Sequence, residues 1–509
     1  MPISQSKQIF NLIKSLTKAE KRNFKVYAKR LNSSDDQMFL RLFDVMDKQK
    51  ELDDATVIKG LQNISKTQYT NLKRHLYAQV LASLRMLHKE KRVNFKVREF
   101  IDYAYILYGK GLYLPALKIL SKARKLAQKH HLVYMQLTIV EFEKTIESRH
   151  ITRSGSSKAQ VLIDESESIQ KDADYLIRLS NLRLKVHALY LQRGSVQSAE
   201  EAQAVRDFFH KQIKNIDLDS LGLIAKINYI QSRVWYNYIL LDYKSCMKWA
   251  KQWVALLDSN PILFERDMDI YMRGFHYILT SATHIKDRAT HKKYLAKFEK
   301  FRKDKYGLFN HNSQIISFLY VHTGRLDHII IEGDFEQAES VIANCLRRIK
   351  KYQYKMDGHR ILVFYFKFAW IYLALGNISK AITYLNHITN NRFENLREDL
   401  QNYARLLLLM CHYELKNFDI FDYLINTYTT YFKKKDDLNI LIQHSVEMFN
   451  QLQSAGLLDH KSIFKKYLKI YKAINKDPYE RRALVYLDMI SWITSKVKSV
   501  PLKEVIRKG

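Results

Sequence analysis

The sequence predicts an all-α chain, an α-α superhelix of antiparallel helix hairpins preceded by a helical bundle, and three observations carry that expectation. Only 5 prolines and 14 glycines occur in 509 residues, while Leu, Lys, Ala and Tyr are abundant and alternating β-branched runs are scarce. A short turn recurs as Gly111-Leu-Tyr113-Leu-Pro-Ala116, as Gly333-Asp-Phe335-Glu-Gln-Ala338 and, with Ile in the aromatic place, as Gly376-Asn-Ile378-Ser-Lys-Ala381. Each copy lies between two segments whose apolar residues return at helical spacing, the signature of a repeat array.

Residues 1–97 lack this turn and read as four or five helices. Thr17-Lys-Ala-Glu20 and Ser65-Lys-Thr-Gln68 are capping boxes, each supplying a side-chain acceptor and a reciprocal partner to the first free amides of a helix. A short helix from about Thr56 to Gln62, a turn through Asn63 and a long helix from near Thr67 to Leu87 could form a helix-turn-helix. That arrangement would present Lys66, Thr67, Gln68, Asn71 and Arg74 to nucleic acid. The alternative is a helix that only packs, through Tyr69, Leu72, Leu76, Val80, Leu84 and Leu87.

The repeats follow. Around Gly111, the residues Phe100, Tyr103, Ala104 and Leu107 form one stripe and Ala116, Leu120 and Ala123 a second, with the small residues allowing close approach of the two helices. Around Gly376 the same places hold Tyr365, Phe368, Ala369, Tyr372, Ile378, Ala381 and Leu385. Weaker copies turn at Gly194 (Val196, Ala199), Leu241 (Tyr243, Cys246), Lys286 (His291, Leu295), Gly333 (Phe335, Ala338) and Lys416 (Phe418, Phe421). A degenerate hairpin turning at Ser154-Gly155-Ser156 fills the long gap between the first two. A further hairpin spans 438–474, and Asp477-Pro478-Tyr479-Glu480 starts a last helix, expected to run to about Lys498 and to cap the array with a wet outer face.

These residues, at this spacing, resemble the tetratricopeptide repeat over about residues 98–430, although the period here exceeds the family's ~34 residues. The resemblance implies that the first helix of each hairpin lines a concave groove and the second forms a convex wall. It thereby puts Tyr105, Tyr108, Trp235, Tyr238, Trp370, Tyr403, Met410 and Tyr413 on or near the groove, as a recognition surface for a protein or peptide. The alternative for these side chains is packing between adjacent repeats. Lysine stripes at Lys118, Lys122, Lys125 and Lys129, at Arg347, Lys351 and Lys355, and at Lys461, Lys465, Lys469 and Lys472 fall on the convex wall, either as solvated faces or as a grip on phosphates.

The formal net charge is +32, and residues 1–97 hold 20 Lys and Arg against 9 Asp and Glu. That balance suits anionic partners or reflects a lysine-rich habit. Three scattered cysteines, Cys246, Cys345 and Cys411, do not make a disulfide framework and fit a reducing compartment. Met1 to Leu16, with Lys7 and Lys14 among its apolar residues, does not read as a secretory leader, the apolar stretch Ile361 to Leu375 reads as too short to span a bilayer, and the expected location is cytoplasmic. No phosphate loop, His-Glu-x-x-His helix, nucleophile elbow or dinucleotide fingerprint occurs, so no enzyme activity, cofactor or metal is expected. The expected domains are a basic bundle (1–97), repeats (98–430) and a terminal hairpin with capping helix (431–509). The expected function is a non-catalytic scaffold binding a protein or peptide. The alternative is a regulator whose amino-terminal domain touches nucleic acid or a signalling partner while the repeats sense a peptide, a layout that resembles peptide-sensing bacterial regulators in architecture alone.

Overall fold

The computed structural model describes residues 4–30, 34–61, 64–89, 92–150, 156–263, 267–352, 356–390, 398–433 and 440–508. Among these, twenty-five α-helices and one 3-10 turn make up the regular structure, and there is no strand. The chain divides into two compact units, residues 1–173 and 174–509. This division follows compactness, whereas the boundaries expected at 97/98 and 430/431 follow where the repeat starts and stops.

The first unit holds α1 (Gln5–Ser15), α2 (Lys18–Ala28), α3 (Ser34–Lys48), α4 (Asp54–Gly60), α5 (Lys66–His88), α6 (Val93–Gly109), α7 (Tyr113–Lys129), α8 (Val133–His150) and the first part of α9 (Ser156–Arg193). Both expected capping boxes form: Thr17 with Glu20 opens α2, and Ser65 with Gln68 opens α5. Helices α1 to α5 enclose their own apolar core, in which Phe24, Phe39, Phe43, Leu76 and Val80 are buried. Around Gly111 the tight α6/α7 crossing is made by Ala104, Ala116, Leu120 and Ala123, all fully buried. Tyr103, expected on that stripe, faces outward at 43% exposure, because Val97, Ile101 and Ala104 define the buried face of α6. The turns expected at Asn63 and at Ser154-Gly155 lie outside the described residues.

In the second unit the remainder of α9 is followed by α10 (Ala199–Ile213), α11 (Leu223–Ile239), α12 (Tyr243–Asp258), α13 (Met268–His284), α14 (Arg288–Lys305), α15 (His311–Glu332), α16 (Ala338–Tyr352), α17 (Gly358–Ala374), α18 (Ile378–Thr389), α19 (Glu398–Glu414), α20 (Phe418–Lys433), α21 (Ile440–Ser454), α22 (His460–Ile474), α23 (Arg481–Tyr486), α24 (Met489–Lys498) and α25 (Leu502–Lys508). Helices pack mostly on their sequence neighbours, and α13 also lies along α15, the pattern of a helical solenoid. One apolar core runs from Ile227 to Ile506, and a second, with Leu179, Phe209 and Tyr236 buried in it, joins α9, α10 and α11. The lysine stripes at 118–129 and 461–472, with Arg347 and Lys351, are exposed opposite these buried faces, and Lys355 lies outside the described residues.

All seven expected turn positions carry a left-handed backbone: Gly111, Gly194, Leu241, Lys286, Gly333, Gly376 and Lys416 have φ between 54° and 78°. His131, between α7 and α8, is an eighth that the repeat pattern did not single out. Five of the seven expected turns, and the turn at His131, share one hydrogen-bond pattern. At Gly376 its own N–H donates to Leu373 O (3.0 Å) and the Asn377 N–H donates to Tyr372 O (2.9 Å); the same pair of bonds recurs at Gly111, Leu241, Lys286 and Lys416. This is a Schellman closure, which satisfies two orphan carbonyls at the helix end. The next residue then caps the following helix, as Asp242, Asp287 and Asn377 do by accepting from the backbone N–H of Ser245, Thr290 and Lys380. A chain that ends one helix and starts the next within two residues must reverse direction.

The carboxyl-terminal expectation needs correction. Asp477 does cap a turn, accepting from the N–H of Tyr479 (2.7 Å) and Glu480 (3.3 Å), but the helix after it stops at Tyr486. Leu487 is extended (φ −129°, ψ 96°), and Asp488 caps a new helix by accepting from the N–H (3.0 Å) and hydroxyl (2.7 Å) of Ser491. Leu487, Met489, Trp492 and Ile493 are then fully buried, so this segment is core and not a wet cap. It packs on α22, and α25 packs on α15 and α17.

Gly333 and Gly376 separate backbone strain from packing. A Cβ at Gly376 would meet nothing within 4 Å, whereas one at Gly333 would lie 2.8 Å from the backbone of Arg507 in α25. Gly376→Ala should therefore cost only the left-handed penalty of about 1–2 kcal/mol, and Gly333→Ala should cost clearly more, as read by denaturant unfolding. Removing α25 should erase that difference. Conversely, Lys416→Gly should stabilise by up to about 1 kcal/mol.

Candidate functional site

A cavity of about 1400 Å³ opens within the second unit. Five successive odd-numbered helices supply one wall, each through residues three or four apart and hence on one face. These are Arg183, His187 and Tyr190 on α9; Gln231, Trp235 and Tyr238 on α11; Arg273, His276, Tyr277 and Thr280 on α13; Tyr320, Thr323 and Asp327 on α15; Arg360, Val363, Lys367 and Trp370 on α17. The opposite wall is the carboxyl-terminal segment, with Arg481, Arg482, Tyr486, Asp488 and Thr494. Arg482 donates to Tyr190 Oη (3.3 Å) and Arg481 to Leu241 O (3.4 Å), while Arg288 donates to Ile331 O (2.8 Å) and Ile506 O (3.5 Å).

The cavity is aromatic and cationic at once. The Trp235 ring is boxed by His187 (4.6 Å between centroids), Tyr190 (5.1 Å), Tyr277 (5.4 Å) and Tyr238 (6.0 Å). His276 stacks on Tyr320 at 4.4 Å, and the Arg360 guanidinium lies 5.9 Å from the same ring. Lys367 is ion-paired with Asp327. Burial, with Arg360, Arg273 and Lys367 adding, pulls the His276 imidazole down to about 3, and burial with Arg482, Lys367 and Arg481 does the same to His284. His187 is lowered as well, by burial and then by Arg273 and Arg183. The histidines are thus held neutral in a positive field.

Of the eight aromatic and apolar residues expected at a groove, Trp235, Tyr238 and Trp370 line this cavity. Three others lie in the same unit outside it. Tyr403 stacks on Tyr486 (5.7 Å), Tyr413 meets Trp492 edge-on (5.9 Å) and approaches His460 Nδ1 (3.0 Å), and Met410 is fully buried. Tyr105 and Tyr108 belong to the first unit, where both pack on Phe142 at 4.1 and 5.5 Å. The arginines were missed, because basic residues were assigned to the convex wall. The available signal was a basic residue on the same stripe as a ring, as in Arg273-x-x-His276 and Arg360 with Val363, Lys367 and Trp370.

In the first unit Lys66, Thr67, Gln68, Asn71 and Arg74 are all exposed at the start of α5. All except Gln68 border an open cleft of about 620 Å³, which Asp54 and Ile58 of α4 also line. Tyr69 Oη donates to Asp54 Oδ1 (2.6 Å), which ties α4 to α5. Gln68 is committed to its own cap, accepting from the Ser65 N–H at 2.9 Å. Among the described residues, no group of three His, Cys, Asp or Glu could hold a metal ion, and no helix is long and apolar enough to cross a membrane. All three cysteines are buried and unpaired.

Compared with protein-family models, curated proteins and solved structures, the chain matches none. What defines it is an all-helical fold with helices packed mostly on sequence neighbours and a ring-lined, cationic cavity in its second unit.

The depressed histidines have a pH consequence. Below the ordinary imidazole value of 6.5 the unfolded chain takes up protons that the folded chain refuses, so stability falls between pH 6.5 and about 3 and is unaffected above 6.5. Each such imidazole contributes up to about 1.4 kcal/mol per pH unit to that loss. Thermal unfolding between pH 7 and pH 5 should show the decline. His276→Gln combined with His284→Gln should flatten it without removing it, since His291 and His322 are also pulled down by burial, to about 4 and about 3.

Proposed function

We propose that the protein is a non-catalytic binding scaffold, related in design to tetratricopeptide proteins, whose second unit takes a peptide or an extended protein segment in its cavity. The observation that carries this reading is the repetition of one face: residues at i, i+3/i+4 on five alternate helices converge on a single cavity of about 1400 Å³. Rings dominate that face, and large stiff side chains lose little entropy on contact, which makes them efficient anchors for a flexible chain. The groove geometry implied by the repeat supports the reading, since the contributing helices are the first members of their hairpins.

A second reading, the regulator, draws on the first unit. Exposed Lys66, Thr67, Asn71 and Arg74 at one helix start, over a cleft, is the layout with which a recognition helix meets nucleic acid. If the basic faces grip about six phosphates, log affinity should fall with log salt at a slope near −5. A flat salt response would remove the regulator's nucleic-acid arm and leave the scaffold.

Selection of displayed peptides on the intact chain tests the main reading. Peptides so recovered should lose about tenfold or more in affinity to the Trp235→Ala, Trp370→Ala variant, the scale of a lost aromatic anchor. Circular dichroism should show unchanged helix content in that variant. Undiminished binding to a folded double variant would place the contact surface elsewhere.

A further inference from the structure

Arg183, Arg273 and Arg360 face the cavity from α9, α13 and α17. Among the described residues, none of the three has a carboxylate within ion-pairing distance, although Lys367 beside them has Asp327. Their charges converge: Arg183 and Arg273 act on each other and together on His187, and Arg273 and Arg360 act together on His276. One acid, Asp267, acts on both Arg183 and Arg273 without reaching ion-pairing distance of either, and its carboxylate accepts from the N–H of Asp269 (3.0 Å) and Ile270 (3.3 Å) as the cap of α13.

Three like charges held around one cavity, with a single carboxylate acting on two of them from beyond ion-pairing distance, are unfavourable for the free protein. They become favourable when an anion enters. Buried donors elsewhere in the cavity lining support the same conclusion. Arg183 Nε, the Trp253 indole N–H and the Tyr243 hydroxyl are buried at the cavity without an acceptor. A buried donor left without an acceptor carries its full desolvation cost, which an incoming oxygen atom would offset.

We propose that Arg183, Arg273 and Arg360 form an oxyanion subsite, which takes a phosphate or carboxylate group of the bound ligand beside the rings of Trp235 and Tyr320. Guanidinium groups suit this task because their planar fork donates two parallel hydrogen bonds to either oxyanion. Three of them with no carboxylate at ion-pairing distance favour a multiply charged group over a single carboxylate. The subsite deepens the reading of the cavity as a ligand site and rests on it, adding the sign and chemistry of what enters.

The test uses full-length protein and small anions, with no peptide present. Pyrophosphate and citrate are titrated separately at constant ionic strength, followed by calorimetry and by the thermal midpoint, with chloride as control. At least one should bind saturably and raise the midpoint. Response to pyrophosphate alone assigns the subsite to phosphorylated ligands, and response to citrate alone assigns it to carboxylates. Arg273→Gln and Arg360→Gln should each weaken that binding by about tenfold, the loss expected for one charge-assisted contact. Arg273 is exposed on its helix, so its replacement should leave the fold intact even if that of Arg183 does not. No saturable response to either anion, or equal affinity in the folded Arg273→Gln, Arg360→Gln variant, overturns the subsite. If anions fail while peptides still depend on Trp235, the subsite is wrong and the scaffold reading stands. If anions bind through these arginines while no peptide does, the subsite stands and the peptide reading falls.

Discussion

One residue per turn, held in the left-handed region, sets the geometry on which the second unit depends. At Leu241, Lys286, Gly376 and Lys416, with φ near 54–78°, a helix ends, two carbonyls are closed by the turn amides, and the next residue opens the following helix. No slack is left for the chain to wander, so neighbouring helices run antiparallel and alternate helices share a side. Glycine meets this demand at Gly111 and Gly376 without strain, while Leu241, Lys286 and Lys416 meet it at a backbone cost that the packing around them offsets. Buried Tyr243, Cys246, Leu295 and Phe421, immediately beyond three of these turns, belong to the apolar core that supplies the offset.

The carboxyl-terminal segment turns this stack into a site. Its helices enter the side that the odd-numbered helices present, bury Trp492 against Tyr413 and Phe464, and bring Arg482 to Tyr190. The Trp492 indole N–H donates to Glu414 Oε1 (2.7 Å), and Lys496 pairs with the same carboxylate, so the segment is fixed by specific polar bonds as well as by burial. A surface that would otherwise be an open face becomes a walled cavity of defined sign. That change is what converts a row of aromatic residues into a candidate receptor for an anionic chain or group.

Much of the fold was legible because the left-handed turns leave a local trace. A glycine, or a residue followed by Asp or Asn and then a ring, marks the end of one helix and the cap of the next, as in Leu241-Asp242-Tyr243 and Gly376-Asn377-Ile378. The break at Leu487 was less visible, since nothing in Leu484-Val-Tyr-Leu487 forbids helix; only Asp488 with Ser491 signals a fresh start. A smaller part of the candidate site was readable, three of the eight residues expected at the groove. The tetratricopeptide resemblance puts Trp235, Tyr238 and Trp370 on first-helix faces, and it puts Tyr403, Met410 and Tyr413 there too, although Met410 is buried and Tyr403 and Tyr413 are covered by a segment distant in sequence. Helical period tells which residues share a face, but not what returns to cover it. Arg183, Arg273 and Arg360 illustrate the converse: charge on an inward face looks like solvated surface until the opposite wall is known.

The sequence pattern, the turns and the cavity therefore form one chain of causes, and its least local link is the seating of residues 481–508 against earlier helices, which reaches a separation of 292 positions where Arg482 meets Tyr190. Hydrogen exchange by mass spectrometry, read on peptides covering residues 484–493 of the intact protein, addresses that link directly. Those amides should be as slow to exchange as the buried helix Gly358–Ala374. Rapid exchange of 484–493 while that helix stays protected would mean that the segment does not line the cavity, and the site described for the second unit would not exist.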